Sequence, residues 1–202
     1  DDFIKGAINY GIPLNKDYNG ATQEGISYTQ RTIHQGRRVS SARAFLRPAL
    51  KRPNIEVRTK AHVTKIIFEG KRAVGIQYMR GGKSVEIRAR REIVLSGGSV
   101  NSPQLLQLSG VGPAGLLKDI GVPIHHELPG VGENLRDHFV LRMVARIKTM
   151  DTINQRVNGL PLLTEAFKYF TGQPSVLSLS PTLVYIFWKS NSALDNGDLQ
   201  IS

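Results

Sequence analysis

The spacing of hydrophobic and polar residues changes period several times along the chain. Residues 1–38 are rich in Gly, Asn and Gln and only weakly periodic, with turn chemistry at Gly11-Ile-Pro13 and Asp17-Tyr-Asn-Gly20. This predicts a covering loop with one short helix at its start. Ala42, Phe45, Leu46, Ala49 and Leu50 then recur at helical spacing behind Ser40-Ser41, either of which can accept a hydrogen bond from a free N–H at a helix start. Pro48 should kink or restart that helix. Lys51-Arg52 suit its C-terminal dipole, and Pro53 stops it.

From Ile55 the period becomes two, with Ile55, Val57 and Thr59 alternating against Glu56 and Arg58. Val63–Phe68, Ala73–Met79 and Val85–Ala89 follow as strands, joined by turns at Glu69-Gly70-Lys71 and Gly81-Gly82. Ile93-Val-Leu95 is short and uniformly apolar, as expected of a parallel strand buried on both faces. The predicted order is a parallel strand, a three-stranded antiparallel excursion and a return strand. After Gly97-Gly98-Ser99, Ser102 should cap a helix with Pro103 at its first position, and Leu105, Leu106 and Leu108 facing inward. Gly110 should end it in a left-handed conformation. A second short helix runs from Pro113 to Gly121, and Val122-Pro-Ile124 is at most an edge strand. Beyond His138, a strand is expected over Val140–Ile147, a helix over Leu160–Phe170, a buried strand over Thr182–Trp188 and a last one from Asp198. A domain boundary is placed near His138, separating 1–40 (a covering or linking segment) and 41–138 from 139–202.

Composition narrows the function classes. The 202 residues are 40% hydrophobic, enough for a core, and no apolar run reaches the roughly 18 residues of a membrane span. The opening Asp1-Asp2-Phe3 lacks the basic start and apolar stretch of a secretory signal. There is no cysteine, so disulfides, thiolate nucleophiles and cysteine-ligated metals are excluded, and a cytoplasmic location is the default expectation. The net charge of +11 invites a nucleic-acid partner. Yet residues 31–100 hold 17 of the 27 Lys and Arg and only 4 of the 16 Asp and Glu, so the excess belongs to one segment of strands and turns. That segment has three aromatic residues, Phe45, Phe68 and Tyr78, too few for a base-stacking platform. A solvated basic face is the plainer reading, and no nucleic-acid partner is expected.

Candidate chemistry concentrates in two segments. Gly98-Ser-Val-Asn-Ser-Pro-Gln-Leu-Leu-Gln-Leu-Ser-Gly-Val-Gly112 follows the apolar strand, and Leu128-Pro-Gly-Val-Gly-Glu-Asn-Leu-Arg-Asp-His138 comes soon after it. Backbone without Cβ atoms, as at Gly97-Gly98, can approach a ligand closely, and in a parallel sheet that ligand lies beyond the carboxyl ends of the strands. An ordinary tight strand–helix connection would look the same. His125-His126 point to opposite faces of a strand and have no acidic cluster, so no metal is expected. Ser40-Ser41 and the serines of 175–180 lack a nucleophile elbow. Phe167, Phe170, Phe187 and Trp188 could line a pocket, but their spacing favours core.

Together the two segments resemble the middle of a glucose–methanol–choline oxidoreductase, a family that oxidises alcohols with bound FAD. Asp17-Tyr-Asn-Gly20 with Gln23 and Gly25, Gly36-Arg-Arg-Val-Ser-Ser-Ala42, Arg52–Val63, Arg72–Ile76 and Arg91–Leu95 resemble other parts of the same family. The likeness is good over 15–138 and looser beyond. It implies a mixed α/β fold: part of an FAD-binding two-dinucleotide-fold domain with a small antiparallel meander over 41–138, and the start of an antiparallel-sheet substrate domain over 139–202. It implies that Val63 meets the FAD adenine through its backbone. It further implies that Gly97, Gly98 and Ser99 pass near the adenosine end, and that Asn134, Asp137 and His138 lie near the flavin side. Asp137 and His138 are expected to form a hydrogen-bonded pair at a domain hinge, with no catalytic role.

The family's opening strand, G-x-G-x-x-G turn and helix, which hold the FAD pyrophosphate, are not found. Gly110-Val-Gly112-Pro-Ala-Gly115 has glycines at that spacing, but it stands at a helix end instead of after a first strand. The family's closing histidine, which takes the alcohol proton, is also not found. The expectation is a middle portion of a choline or alcohol dehydrogenase or oxidase, with no catalytic residue among these 202 and little FAD affinity alone. The expected partner is a small-molecule alcohol; neither membrane association nor oligomeric state is assigned. A non-enzymatic binding module descended from the family, or a basic nucleic-acid-binding protein, are the alternatives.

Overall fold

The computed structural model describes residues 2–147, 152–180 and 182–202. In chain order the elements are α1 (Asp2–Asn9), β1 (Gly25–Tyr28), β2 (Ile33–His34), β3 (Arg37–Arg38), a π-helical turn (Ala42–Leu46), α2 (Arg47–Ala49), β4 (His62–Glu69), β5 (Arg72–Arg80) and β6 (Lys83–Arg88). They continue with α3 (Gly98–Leu108), β7 (Val111–Gly112), α4 (Ala114–Asp119), β8 (His126–Glu127), α5 (Ile153–Arg156), α6 (Gly159–Phe170), a 3₁₀ turn (Val176–Ser178), β9 (Val184–Trp188) and β10 (Leu199–Ile201). The chain divides into two compact units, one formed by Asp1–Ile55 with Ala145–Ser202, the other by Glu56–Val144.

In the first unit, β9 is the centre of an antiparallel sheet with β1 and β10 on its two edges. Ile26 lies opposite Ile186, and α1 lays Ile4 and Ala7, one helical turn apart, against that face with Ile12. Burial of this size contributes about 1.5–3 kcal/mol for each isoleucine. On the same unit Tyr18, Tyr185 and Phe187 form a ring cluster with centroids 5.5–5.9 Å apart. The helix at the chain start and strands at β9 and β10 follow the sequence pattern. β1 does not: it is hidden in a segment expected to be loop, because its apolar signal is a single buried Ile26 between Gly25 and Ser27. Gly25 has φ +120°, and a Cβ there would stand 2.5 Å from the Pro13 carbonyl oxygen, so the residue is fixed by packing and not by strand propensity.

Three further expectations are corrected in this unit. The helix over 42–50 forms as a π turn running into α2, with Ser40 Oγ accepting from the Arg43 N–H at 3.3 Å, and Phe45, Leu46 and Leu50 are exposed. The change of helix type falls just before Pro48, whose ring and missing N–H disfavour a regular i→i−4 ladder there. Helix α6 is present, but Leu163, Phe167 and Phe170 face outward while Glu165 is buried, so Phe167 and Phe170 are not core. Phe187 and Trp188 are half-buried in β9. The part of the expected strand 140–147 belonging to either unit is extended chain without a ladder, with Phe139 and Val144 each 96% exposed.

The second unit is built on the predicted meander. β4, β5 and β6 pair in sequence order, and Gly81-Gly82 with φ +55° and +76° make the two-residue turn that right-twisted strands prefer. Ile66, Gly75 and Tyr78 are the buried residues of this sheet, and Arg58, clamped by both Glu56 oxygens at 2.6 and 3.2 Å, donates to the Tyr78 hydroxyl at 3.0 Å. The Arg58 guanidinium holds the Glu56 carboxyl below its ordinary pKa. The two flanking parallel strands do not form: 55–59 and 93–96 are extended but unpaired, and Val94 is 77% exposed. A buried parallel strand needs neighbours on its hydrogen-bonding edges, and no described strand lies beside either segment.

Helix α3 begins at Gly98, four residues before the expected cap, so Pro103 is interior to it. Leu105 and Leu106 are half-buried and Leu108 is 47% exposed, so the inward leucine face is narrower than expected. Gly110, φ +87°, ends the helix as predicted. The chain then makes a miniature β–α–β unit, β7–α4–β8, in which Val111 and Gly112 pair in parallel with His126 and Glu127 and Leu117 fills the space beneath. The strand is therefore at His126-Glu127 and not at Val122-Pro-Ile124.

Candidate functional site

The second unit contains a cleft of about 390 Å³ where the start of β4, the extended segment 93–97 and α3 converge. Its walls are mostly apolar, with Val63, Ile76, Leu95 and Leu105, and its polar side chains are His62, Thr64, Ser96, Asn101, Ser102 and Gln104. Such a volume, lined by apolar side chains with a few polar ones, is typical of small-molecule sites of roughly 300–1,000 Å³. β4 carries a bulge between Val63 and Lys65: Val63 faces Tyr78, Lys65 faces Gln77, and Thr64 is left over, its hydroxyl donating to the Gln77 carbonyl at 3.3 Å. Bulges re-aim the side chains beside them.

The two glycines of the turn have different physical roles. A Cβ on Gly97 would lie 3.2 Å from Asn101 Cβ and 3.3 Å from the Ser102 nitrogen, while its own N–H donates to Ser102 Oγ at 3.0 Å. A Cβ at Gly97 would therefore crowd the helix start, which would have to give by a few tenths of an ångström. Gly98 has φ +89° and no atom within 4 Å of where a Cβ would be, so it is required by conformation and borders open space. Ser102 does not cap α3 in the expected manner; it holds the turn closed from inside the helix.

Of the seven sequence-derived site residues, the structure brings Val63 and Gly97 together in this cleft, and Gly98, the first residue of α3, is not among its lining residues. Ser99 sits in the first turn of α3, exposed and not among the lining residues. Asn134 has φ +58° and is exposed, and Asp137 and His138 are 96% and 80% exposed at their side chains. The His138 backbone N–H donates to Asp137 Oδ1 at 2.7 Å, while the imidazole Nδ1 stands 3.9 Å from that oxygen, too far for a side-chain hydrogen bond. The contact is between sequence neighbours, and none of the three residues lines the cleft. Asn101 and Gln104 were not foreseen. Their signal is helical: Asn101, Gln104, Leu105 and Leu108 recur at i, i+3, i+4 and i+7, one face of α3, and all line the cleft.

The two signature segments are bonded to each other. Gln107 Nε2 donates to the Val131 carbonyl at 3.0 Å, and a Cβ on Gly132, φ +89°, would stand 2.7 Å from the same nitrogen. Gly110 meets Pro123 and His125, and His125 stacks on Phe68 with ring centroids 4.4 Å apart. Gly110-Val-Gly112-Pro-Ala-Gly115 thus owes its first glycine to chain packing. Helix α4 that follows has only six residues. Among the described residues no group of three His, Asp or Glu side chains is placed to hold a metal ion, and no helix is long and apolar enough to cross a membrane.

Comparison with known proteins places this arrangement. Residues 1–140 match the family model described as GMC oxidoreductase. The mitochondrial choline dehydrogenase of Homo sapiens is 40% identical over 180 residues, covering 88% of this chain and 30% of that protein. The oxygen-dependent choline dehydrogenase of Brucella anthropi is 44% identical over 156 residues, covering 77% and 28%. Among solved structures, an FAD-dependent oxidoreductase from Chaetomium thermophilum matches with a TM-score of 0.81 at 25% identity, over 93% of this chain and 34% of that one. Pyridoxine 4-oxidase from Mesorbium loti matches with a TM-score of 0.60 at 31% identity, over 63% and 25%. The chain spans about a third or less of the length of these relatives. With its signature segments joined through Gln107 and its meander and α3 enclosing one cleft, the chain belongs to the GMC oxidoreductase family.

Proposed function

We propose that the protein to which this chain belongs is an FAD-dependent oxidoreductase acting on the CH–OH group of a small alcohol, with choline the first substrate to test. The observation that carries this reading is the identity of 40–44% to choline dehydrogenases across most of the chain. FAD, when bound, supplies the hydride acceptor for alcohol oxidation. The residues here fit a share of that cofactor. Val63 and Gly97 border an apolar cleft with room for a ring, and Gly98 leaves space for close approach of a ligand to the backbone. In this reading the cleft takes the adenosine end, polar side chains of its lining such as His62, Asn101 and Gln104 orient it by hydrogen bonds, and Leu105 and Ile76 exclude water from its faces. Asn134, Asp137 and His138 belong to a separate exposed segment for which the family likeness suggests the flavin side. No side chain of the 202 is assigned the alcohol proton. The comparisons favour neither the binding-module nor the nucleic-acid alternative.

The test is to purify the protein from its source with this chain in its natural context, record its visible absorbance, and follow reduction of an artificial electron acceptor on adding choline. Bound flavin, bleached anaerobically by choline, supports the reading. A colourless protein with no FAD uptake overturns it; bound flavin bleached by another alcohol retains the reaction class and replaces the substrate. Replacing Gly98 by Val should weaken FAD retention at least about tenfold, because a branched side chain is strained at positive φ and occupies the open space.

A further inference from the structure

The first unit holds a second and larger cleft, of about 650 Å³, where the chain leaving β1 meets α5, α6 and the 3₁₀ turn. Three cations line it: Arg31, Arg156 and Lys168. Its one carboxylate, Glu165, is already engaged, accepting from the Val176 N–H at 2.9 Å and from Lys168 Nζ at 3.1 Å. Neither Arg31 nor Arg156 makes an ion pair among the described residues. The cleft therefore carries a net positive charge with two unneutralised guanidinium groups on its walls.

Its other feature is Thr29. The Thr29 N–H donates to the Leu183 carbonyl at 3.0 Å, which fixes the residue at the end of the sheet. Its hydroxyl oxygen is shut off from solvent and has no hydrogen-bond partner among the described residues. With no exposed surface, that oxygen cannot meet a ligand in the cleft, so Thr29 supplies wall and not a donor. Ser178 and the spare donors of Lys168 line the same space.

We propose that this cleft is a binding site for a small dianionic oxyanion ligand, a phosphoryl group or a dicarboxylate. Guanidinium groups present paired N–H donors that match two oxygens of such a ligand, and Arg31 and Arg156 both line this cleft. The site is independent of the FAD cleft, since its residues all belong to the other unit.

The experiment is calorimetric titration of the 202-residue chain with inorganic phosphate and, separately, succinate, at ionic strength held constant with sodium chloride. Saturable binding of at least one is expected, weakened at least about tenfold by the double change Arg31→Gln with Arg156→Gln. Binding of phosphate alone assigns a phosphoryl ligand, and binding of succinate alone a dicarboxylate. Arg43→Gln, outside the cleft, should leave binding unchanged. The proposal is overturned if neither probe saturates, if chloride reproduces the response, or if the Arg31/Arg156 double variant binds as the parent does. Flavin content and alcohol oxidation do not enter this readout, so its failure is distinct from failure of the enzymatic reading.

Discussion

Ser109 and Ile66 are joined by the one described side-chain hydrogen bond from α3's C-terminus to the meander: the Ile66 N–H donates to Ser109 Oγ at 2.8 Å, and that hydroxyl donates to the Leu105 carbonyl at 2.6 Å. Both residues are buried. β4 is an edge strand, so its outward N–H groups need partners other than a neighbouring strand. Replacing Ser109 by Ala would leave the Ile66 N–H buried without an acceptor. The expected loss is about 1–3 kcal/mol of stability, read from the urea midpoint at unchanged slope. A change below about 0.3 kcal/mol would mean that the two elements are held by packing alone.

The G-x-G-x-x-G spacing at 110–115 can be tested glycine by glycine. Gly110→Ala puts a Cβ 2.5 Å from the Pro123 oxygen at φ +87°, where L-residues are strained. It should cost at least about 2 kcal/mol and loosen the β7–β8 pairing, seen as faster exchange of the His125 and His126 amides, both bonded to the Gly110 carbonyl. Gly115→Ala, inside α4 and facing open space, should instead stabilise by about 0.4–1 kcal/mol. A phosphate-cradling loop would show no such contrast in the absence of ligand.

Pro103 sits at the sixth position of α3 and cannot donate to the Ser99 carbonyl. Pro103→Ala restores that donor. Stability should rise by as much as about 3 kcal/mol, and backbone amide exchange should slow over the first turns of the helix. An unchanged or lower midpoint would indicate that the helix starts at Ser102, with Pro103 in its first turn.

Glu165 gives the first unit an acid-sensitive corner. The Val176 N–H, then Lys168, hold its carboxyl below the ordinary value of 4.5. A carboxyl depressed in the folded state adds stability that is fully present above the unfolded value and is lost as pH falls through the folded one. Denaturation midpoints should therefore drop as pH falls below the ordinary carboxyl value of 4.5, and the Glu165→Gln variant should be weaker at neutral pH with a shallower acid limb. Glu56 and Asp198 are also held low and contribute to the same limb. The difference between parent and variant isolates Glu165. Parallel curves for the two would remove Glu165 as the cause.

What was legible in the sequence is what depends on neighbours in the chain. The three meander strands, the Gly81-Gly82 turn, the Gly110 helix stop, α6 and the central strand β9 all follow from period, propensity and positive-φ glycines, which are local properties. The family likeness rests on the same contiguous runs. Only the tertiary structure decided which extended segments become strands. Ile55–Thr59 and Ile93–Leu95 have strand patterns yet no described partner, whereas Gly25–Tyr28, nearly patternless, pairs along its whole length with β9. A ladder is a property of two segments, and alternation in one cannot report the other. The outward turn of Phe167 and inward turn of Glu165 have the same origin, because the Val176 N–H, beyond the end of α6, pulls the carboxylate in from a position that no helical period contains. The union of Val63 and Gly97 across one cleft, and the orphaned hydroxyl of Thr29 in the wall of another, exist only once the chain has folded on itself.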